Sequence, residues 1–560
     1  MARGRAGSGV ETGTEVERKF GVDEAYAVPD LSDVVTVREE GTDVLVTTYL
    51  DSADLRLWRD GIVLRHRSGG PDAGWHLKFP AAVTDGGGVT GAASAAGGGA
   101  APDTRVRSEV RLPARRGDHL GAPPAELLGL VRVALAGAQV GPRGRIRTER
   151  TRRTLLTPGS AELAELADDR VTVGPADLDE RIPHPETASP PGPPRATGIP
   201  LGAFRELELE ELNGAATPEG RRLLDAVATH LTDAGAQPPA AESKAVRVLG
   251  DPANLPPAVP PVPPLSPAAP AAAAVRAHLA TYTRALRRED LRVRLDAEDS
   301  VHQLRVATRR LRSGLRAFRP LFVTGWEDAL RTDLRWLATS FAPTRDAEVQ
   351  LARLVDRAGR LPDAEATEEV QTFLRRRLGR ELATSRGASL AVLDTDRYLA
   401  LHHQLLQAAD APATVKAAKK PCAEVLPPLA RRAYGRLEKA ARGLDADAPD
   451  TRWHEVRITA KRARYAAEAC APALGKPARR LAGQLSRVTD VLGEHQDAVV
   501  AAATLTRLAT SGRVPARVAY WLGVLHAEER AAARVARESF GDVWREAGRP
   551  RYHHWLDEER

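Results

Sequence analysis

Phe204-Arg205-Glu206-Leu207-Glu208-Leu209-Glu210-Glu211-Leu212 carries a carboxylate at 206, 208 and 210 with leucine between. A repeat of two is the mark of a strand, whose alternate side chains share a face. The leucines then pack against an outer layer and the carboxylates line an interior. The same alternation recurs in Glu15, Glu17 and Lys19, in Arg65 with Arg67, and in His76 with Lys78. It appears again in Arg107 with Glu109 and in Thr148 with Arg150 and Arg152. A single Glu-x-Glu-x-Lys strand is commonly a solvated face, but six strands of inward charge are not. A charged interior costs too much desolvation unless it is wet or occupied. Carboxylate oxygens hold hard divalent cations, and Arg and Lys hold phosphoryl oxygens. The pattern predicts an enclosed pocket that is neutral only when metal and polyanion fill it.

Around this stretch, strands are predicted at Val44 to Leu50, Ile62 to Arg67, Trp75 to Phe79, Arg105 to Leu112, Arg145 to Leu156 and Ala161 to Val173. Inserts fall at 81–104 and 182–200. Thr217-Pro218-Glu219 opens a helix over Pro218 to Ala234, and a short segment follows at Ser243 to Leu249. Residues 251–273 are a Pro/Ala linker. From about residue 274 apolar residues recur at three and four. His302, Arg305, Arg309, Arg310 and Arg312 return 152 residues later as His454, Arg457, Lys461, Arg462 and Arg464. Thr344-Arg345-Asp346-Ala347 and His495-Gln496-Asp497-Ala498 repeat at a spacing of 151. That is an internal duplication. The expectation is a multidomain α+β chain: a β domain at 14–250, the linker, and an all-α duplicated domain at 274–555.

The 560 residues are too many for one core. With 81 Lys+Arg against 74 Asp+Glu, the net charge of +7 is mild for this length, so the placement of charge decides. The two cysteines, Cys422 and Cys470, exclude a disulfide framework or a cysteine metal cluster, and a reducing compartment fits. No signal peptide and no uncharged run of the ~18 residues that span a bilayer is seen, so the expected location is the cytoplasm.

Glu15-Val16-Glu17-Arg18-Lys19 resembles the ExExK signature of the CYTH family, the triphosphate tunnel metalloenzymes. The resemblance extends over about 14–250. It includes Leu64-Arg65-His66-Arg67, Trp75-His76-Leu77-Lys78, Arg107-Ser108-Glu109, Thr148-Glu149-Arg150, Asp168-Asp169, Glu206 to Glu210, and Ser243-Lys244. It implies an eight-stranded antiparallel tunnel. In that tunnel Glu15, Glu17, Glu206, Glu208, Glu210 and one of Asp168 or Asp169 would face one or two Mg2+ or Mn2+ ions. Lys19, Arg65, Arg67, Lys78, Arg107, Arg150 and Lys244 would contact triphosphate, with Glu109 orienting them. Lys19 would position or activate the attacking water, with Glu15 and Glu17 completing the catalytic set.

On a helical wheel at 100° per residue His302, Arg305, Arg309, Arg312 and Arg316 fall within about 80° of arc, opposite Leu304, Leu311, Leu315 and Phe318. His454, Arg457, Lys461 and Arg464 form the matching stripe. Such a stripe repels itself and is expected to sit against anion. These stretches, with Leu334-Arg335-Trp336-Leu337, Thr344-Arg345-Asp346 and Leu492 to Asp497, resemble the CHAD family, the conserved histidine α-helical domain. The resemblance covers about 274–555. It implies paired four-helix bundles around a basic channel that binds inorganic polyphosphate. His302, Arg305, Arg309, Arg312, Arg345, His454, Arg457, Lys461 and Arg464 would line it, and Asp346 and Asp497 would hold arginines in place. Nucleic acid is the competitor. Without aromatic platforms or a helix-turn-helix, such contact would be sequence-blind and salt-sensitive.

The resulting expectation is a CYTH-type triphosphatase, acting on tripolyphosphate or a related triphosphate or polyphosphate end, joined to a polyphosphate-binding domain. The alternatives are a non-catalytic polyphosphate-binding, granule-associated protein and a class IV-type adenylate cyclase.

Overall fold

The computed structural model describes residues 4–6, 10–80, 105–115, 118–120, 122–174, 202–240 and 243–557. The two predicted inserts, 81–104 and 182–200, lie outside them. The chain divides into two compact units, Met1–Ala258 and Val259–Arg560.

Among the described residues the first unit has nine strands: β1 (Gly4–Ala6), β2 (Val10–Val22), β3 (Thr36–Asp51), β4 (Val63–Ser68), β5 (Gly74–Pro80), β6 (Arg105–Pro113), β7 (Gly141–Leu156), β8 (Glu162–Gly174) and β9 (Gly202–Glu211). The hydrogen-bonded order β2-β6-β5-β4-β3-β7-β8-β9 returns to β2, where Glu17 pairs with Glu210 and Lys19 with Glu208. Every pairing is antiparallel. The result is a closed eight-stranded barrel with β1 added outside the ring. Closure leaves the ring no free edge.

The inversion of polarity read from the sequence is physical. Phe20, Leu155, Leu163, Leu166, Leu207 and Leu209 face outward and pack with Leu224, Val227, Ala228 and Leu231 of α1 (Pro218–Asp233). Thr217 caps that helix by accepting a hydrogen bond from the Gly220 amide. The Ser243 to Leu249 segment is a second helix, α2 (Lys244–Leu249). Its Ala245 and Val248 pack with Tyr49, Ile146, Val171 and Val173. Gly144 lets this helix approach, since a Cβ there would sit 2.0 Å from Val248 Cγ1. β3 begins eight residues before the predicted Val44, because its exposed, charged first half lacks an apolar face but is paired along β7.

The second unit is helical: α3 (Ala271–Arg294), α4 (Ser300–Ala317), α5 (Trp326–Ser340), α6 (Ala342–Ala358), α7 (Ala364–Leu393), α8 (Asp396–Asp410), α9 (Cys422–Ala441), α10 (Asp450–Leu474), α11 (Lys476–Thr510) and α12 (Ala516–Ala547). The duplication is visible in the pairs α3/α9, α4/α10 and α7/α12. The long α11 corresponds to α5 and α6 together. In the first repeat the helix is interrupted before Pro343, which lacks the amide needed to continue the ladder. The first repeat therefore holds six helices and the second four long ones, where the resemblance implied four in each. Leu354, Phe373 and Leu374 pack with Leu505, Leu508 and Leu522, so one core joins the repeats. α4 packs against α10 and so brings the two basic stripes together. Among the described residues no helix is long and apolar enough to cross a membrane.

Candidate functional site

Strand register sorts the acids of the barrel. Residues paired across neighbouring strands share a face. Asp169 stands opposite Glu206, whereas Asp168 stands opposite the outward Leu207. Asp168 is accordingly held by Arg205, whose Nε and Nη2 donate to it at 2.9 and 2.8 Å. Arg205 also donates to the carbonyls of Glu24 and Tyr26. Asp168 thus leaves the predicted metal set: its phase puts it outside the tunnel, in a pair that fastens the loop after β2.

Asp169 is fully buried inside, with Glu206 and Glu208 beside it. One carboxylate oxygen from each of the three lies within 4.8 Å of the others. The Lys244 ammonium, at the first residue of α2, sits among them at 2.7, 2.6 and 2.8 Å. Lys19 bonds Glu208 and lies 3.3 Å from Glu17. Arg150 donates Nε and Nη2 to Asp169, both at 2.7 Å, and Nη2 to Glu208 at 2.5 Å. Three oxygen donors already arranged around a cation fit a hard divalent ion.

Across the cavity the partners change. Glu109 receives Arg111 Nε at 2.6 Å and His76 Nδ1 at 3.0 Å, with Arg65 at 3.6 Å. Lys78 bonds Glu15. Arg67 bonds Asp72. Arg107 and Glu210 line the same cavity. The Nε of Arg65 is buried without a hydrogen-bond acceptor. Register thus brings together every predicted tunnel residue except Asp168.

The electrostatics follow from this pairing. Burial alone would neutralise Lys19, but Glu208, Glu17 and Glu206 overcome it and hold the ammonium. Lys244 is raised further for the same reason, against desolvation, by Asp169, Glu206 and Glu208. Glu208 is driven well below the carboxylate range as Lys19, Lys244 and Arg150 outweigh its burial. Glu210 goes the other way: burial, then repulsion from Glu15, pushes it up to about 7. A protonated Lys19 can orient water but cannot take a proton from it.

The interior is also balanced without a ligand. Eight carboxyl groups (Glu15, Glu17, Asp72, Glu109, Asp169, Glu206, Glu208 and the raised Glu210) meet eight cations (Lys19, Arg65, Arg67, Lys78, Arg107, Arg111, Arg150, Lys244). Lys19 and Lys244 pair with the carboxylates that would face a metal ion, so side chains alone offset much of the interior charge. Arg111, Asp72 and Tyr49 line the cavity and were not among the predicted residues. Arg111 continues the Arg107, Glu109 alternation and was legible in it. Asp72 lies in the turn after β4 and carries no periodic signal.

In the helical unit the basic residues meet one another. The His302 pKa is lowered by burial and by Arg345, Arg309 and Arg305. Burial, Arg457 and Arg309 bring Lys461 down to about 7. The Nε atoms of Arg309 and Arg457 are buried without acceptors. Arg305 donates to the Ala338 carbonyl at 2.6 Å, and Arg309 lies 5.5 Å from the Tyr465 ring centre. Arg345 is within 3.3 Å of Glu348, and the exposed His454 bonds Gln496 at 2.7 Å. Two predicted residues turn elsewhere. Arg464 donates to Glu468 at 2.8 Å and to Thr489 at 2.9 Å, while Arg312 faces Arg335 and Arg331.

The model of the CHAD domain family matches residues 277–506. An uncharacterized protein of Mycobacterium tuberculosis strain H37Rv is 34% identical over 545 residues, covering 94% of each chain. The chain belongs to the CHAD family. Its N-terminal barrel is a CYTH-like tunnel, by strand number, closure and inward acids. A crystal structure of the CHAD domain from the plant Ricinus communis is 24% identical, covering 54% of this chain and 96% of that one, with a TM-score of 0.39. A Hippeastrum protein, HpAC1, described as having a dominant triphosphatase activity, is 15% identical over 42% of this chain and 94% of that one, with a TM-score of 0.24.

Proposed function

We propose that the tunnel hydrolyses the terminal phosphoanhydride bond of a triphosphate, either inorganic tripolyphosphate or the end of a polyphosphate chain, with Mg2+ or Mn2+. The CHAD unit binds inorganic polyphosphate. One observation carries the first half. Asp169, Glu206 and Glu208 converge within 4.8 Å in a closed barrel whose other walls present Arg65, Arg67 and Arg150.

Asp169, Glu206 and Glu208 would hold the divalent ion, which would supply positive charge against the phosphoryl oxygens. The chain does the rest. Lys19 and Lys244, kept as ammonium groups, turn from carboxylate to phosphoryl oxygen. Arg150 and Arg65 present fixed donors where charge develops on the leaving group. Lys19 orients the water. The barrel wall and α2 limit the water that reaches the bond.

The balanced interior favours a second reading, in which the tunnel is idle and the protein holds polyphosphate at a granule. Phosphorus NMR of purified protein with tripolyphosphate, ATP and long-chain polyphosphate separates the two. The proposal expects phosphate release that needs metal and falls about 1000-fold in Glu206→Gln/Glu208→Gln, as when preorganised charge is removed. No release, or equal release from the variant, leaves the binding reading. Cyclic AMP from ATP would make the tunnel a cyclase.

A further inference from the structure

The basic cluster around α4 and α10 is not equivalent at its two ends. On α4 and α10 the repeats are offset by 152, so Arg310 corresponds to Arg462, Arg312 to Arg464, and Arg316 to Glu468. Glu468 bonds both Arg310 and Arg464. Thr489 takes a further donor from Arg464 at 2.9 Å. That end is closed by its own ion pairs.

At the other end the acid is replaced by Arg316, which is exposed. Burial of its stem and four neighbouring cations, Arg462, Arg331, Arg436 and Arg312, lower its pKa. Arg335 joins them beside Arg312. Among the described residues, Arg331 is the one member of this group paired with a carboxylate, the exposed Asp328 at 3.2 Å. The buried leucines of α5 and α11 align at an offset of 151 (Leu330 with Leu481, Leu334 with Leu485). Arg331 and Arg335 therefore correspond to Ala482 and Ser486. The same offset on α3 and α9 sets Ala285 opposite Arg436 in the comparison. One end thus gathers cations from four helices, and its counterpart keeps two arginines tied to one glutamate.

We propose that the channel is one-sided: a long polyphosphate chain leaves it across the Arg316 end and is held there, while Glu468 stops extension at the opposite end. This rests on the polyphosphate reading above. Uncompensated cations from separate elements lower the cost of confining a polyanion and release its counterions on binding. A flexible chain with one charge per phosphate suits a patch without aromatic platforms better than nucleic acid does.

The test is affinity against chain length, with sodium polyphosphate fractions and the full-length protein. For the wild type, affinity continues to rise with length beyond what the channel itself holds. In Arg316→Glu/Arg462→Glu the rise stops early, giving a loss of about 30-fold for long chains, a shallower salt dependence and little change for short ones. Arg316→Gln/Arg462→Gln, at exposed positions, gives a smaller loss with unchanged melting. Glu468→Gln steepens the rise. A charge-reversed patch that follows the wild-type curve overturns the one-sided extension and leaves the polyphosphate reading intact. Loss of single-stranded DNA binding alone, with polyphosphate unaffected, overturns it in favour of nucleic acid. A wild type that binds no fraction overturns both.

Discussion

The tunnel and the helical channel solve the same electrostatic problem in opposite ways. In the tunnel Lys244 sits among three carboxylates and Arg150 bridges two. In the channel Arg309, Arg457 and Lys461 face one another, and two of their donors have no acceptor. A balanced interior is stable empty and must exchange partners to admit an anion. A cluster whose cations outnumber the nearby Asp346 and Asp497 is ready for an anion and is penalised without one. The contrast predicts that the tunnel depends on metal and that the channel depends on salt.

Charge reversal of the channel is the largest expected effect. Arg305→Glu/Arg457→Glu removes two charge-assisted contacts, each worth roughly 1.5–3 kcal/mol, and adds repulsion, so polyphosphate affinity at low salt should fall about 1000-fold. Isothermal titration checks this, and tripolyphosphate turnover in the tunnel should be unaltered. Intact affinity would mean that the facing cations are not a binding surface.

A smaller and sharper effect separates two adjacent aspartates. Asp169→Asn should cut metal-dependent phosphate release about 100-fold. Asp168→Asn should leave release per folded molecule nearly unchanged and instead lower the melting temperature, because the buried Arg205 loses its charge partner and keeps only neutral acceptors, at a cost of about 3 kcal/mol. Equal kinetic losses from both would contradict the register that sends Asp168 outward.

That pair also shows what a sequence conceals. The alternation at 204–212 was enough to place the leucines outside and the glutamates inside, because period and polarity together define two faces. Asp168-Asp169 offers both parities at once, and only the pairing of Asp169 with Glu206 resolves it. Arg152, inward by the same alternation, pairs with Asp43 rather than with the central acids, since position along the strand matters as well as phase. Charge balance was hidden for a different reason. It depends on side chains from β2, β7, β8, β9 and α2 meeting at one point, and no local pattern encodes that convergence. In the helical unit the 152-residue offset exposed the shared stripe, while the Pro343 break and the Arg316 to Glu468 exchange are departures that acquire meaning once helices are packed.

Lys461 gives the smallest effect and the one that tests the crowding itself. Its pKa falls to about 7 because burial, Arg457 and Arg309 disfavour the ammonium in the empty channel. At pH 6 the group carries its charge before ligand arrives. At pH 8 binding must first protonate it, which costs up to about tenfold for a group one unit above its pKa. Polyphosphate affinity should therefore weaken by severalfold between pH 6 and 8, with proton uptake measurable by titration in buffers of different ionisation enthalpy. His302, lowered by burial and by Arg345, Arg309 and Arg305, begins to lose its charge at lower pH than Lys461, and a His302→Gln variant separates its share of the slope. The sign for stability is opposite. A lysine whose folded pKa lies below its unfolded value destabilises the empty fold while charged, so the unliganded protein gains stability as pH rises through 7 toward the unfolded pKa. Lys461→Arg should flatten the binding profile, because an arginine stays charged across this range, and Lys461→Met should remove the stability slope. A wild-type affinity that is flat from pH 6 to 8 would show that the neighbouring arginines are better screened than their burial implies, and the contrast with the self-paired tunnel would narrow accordingly.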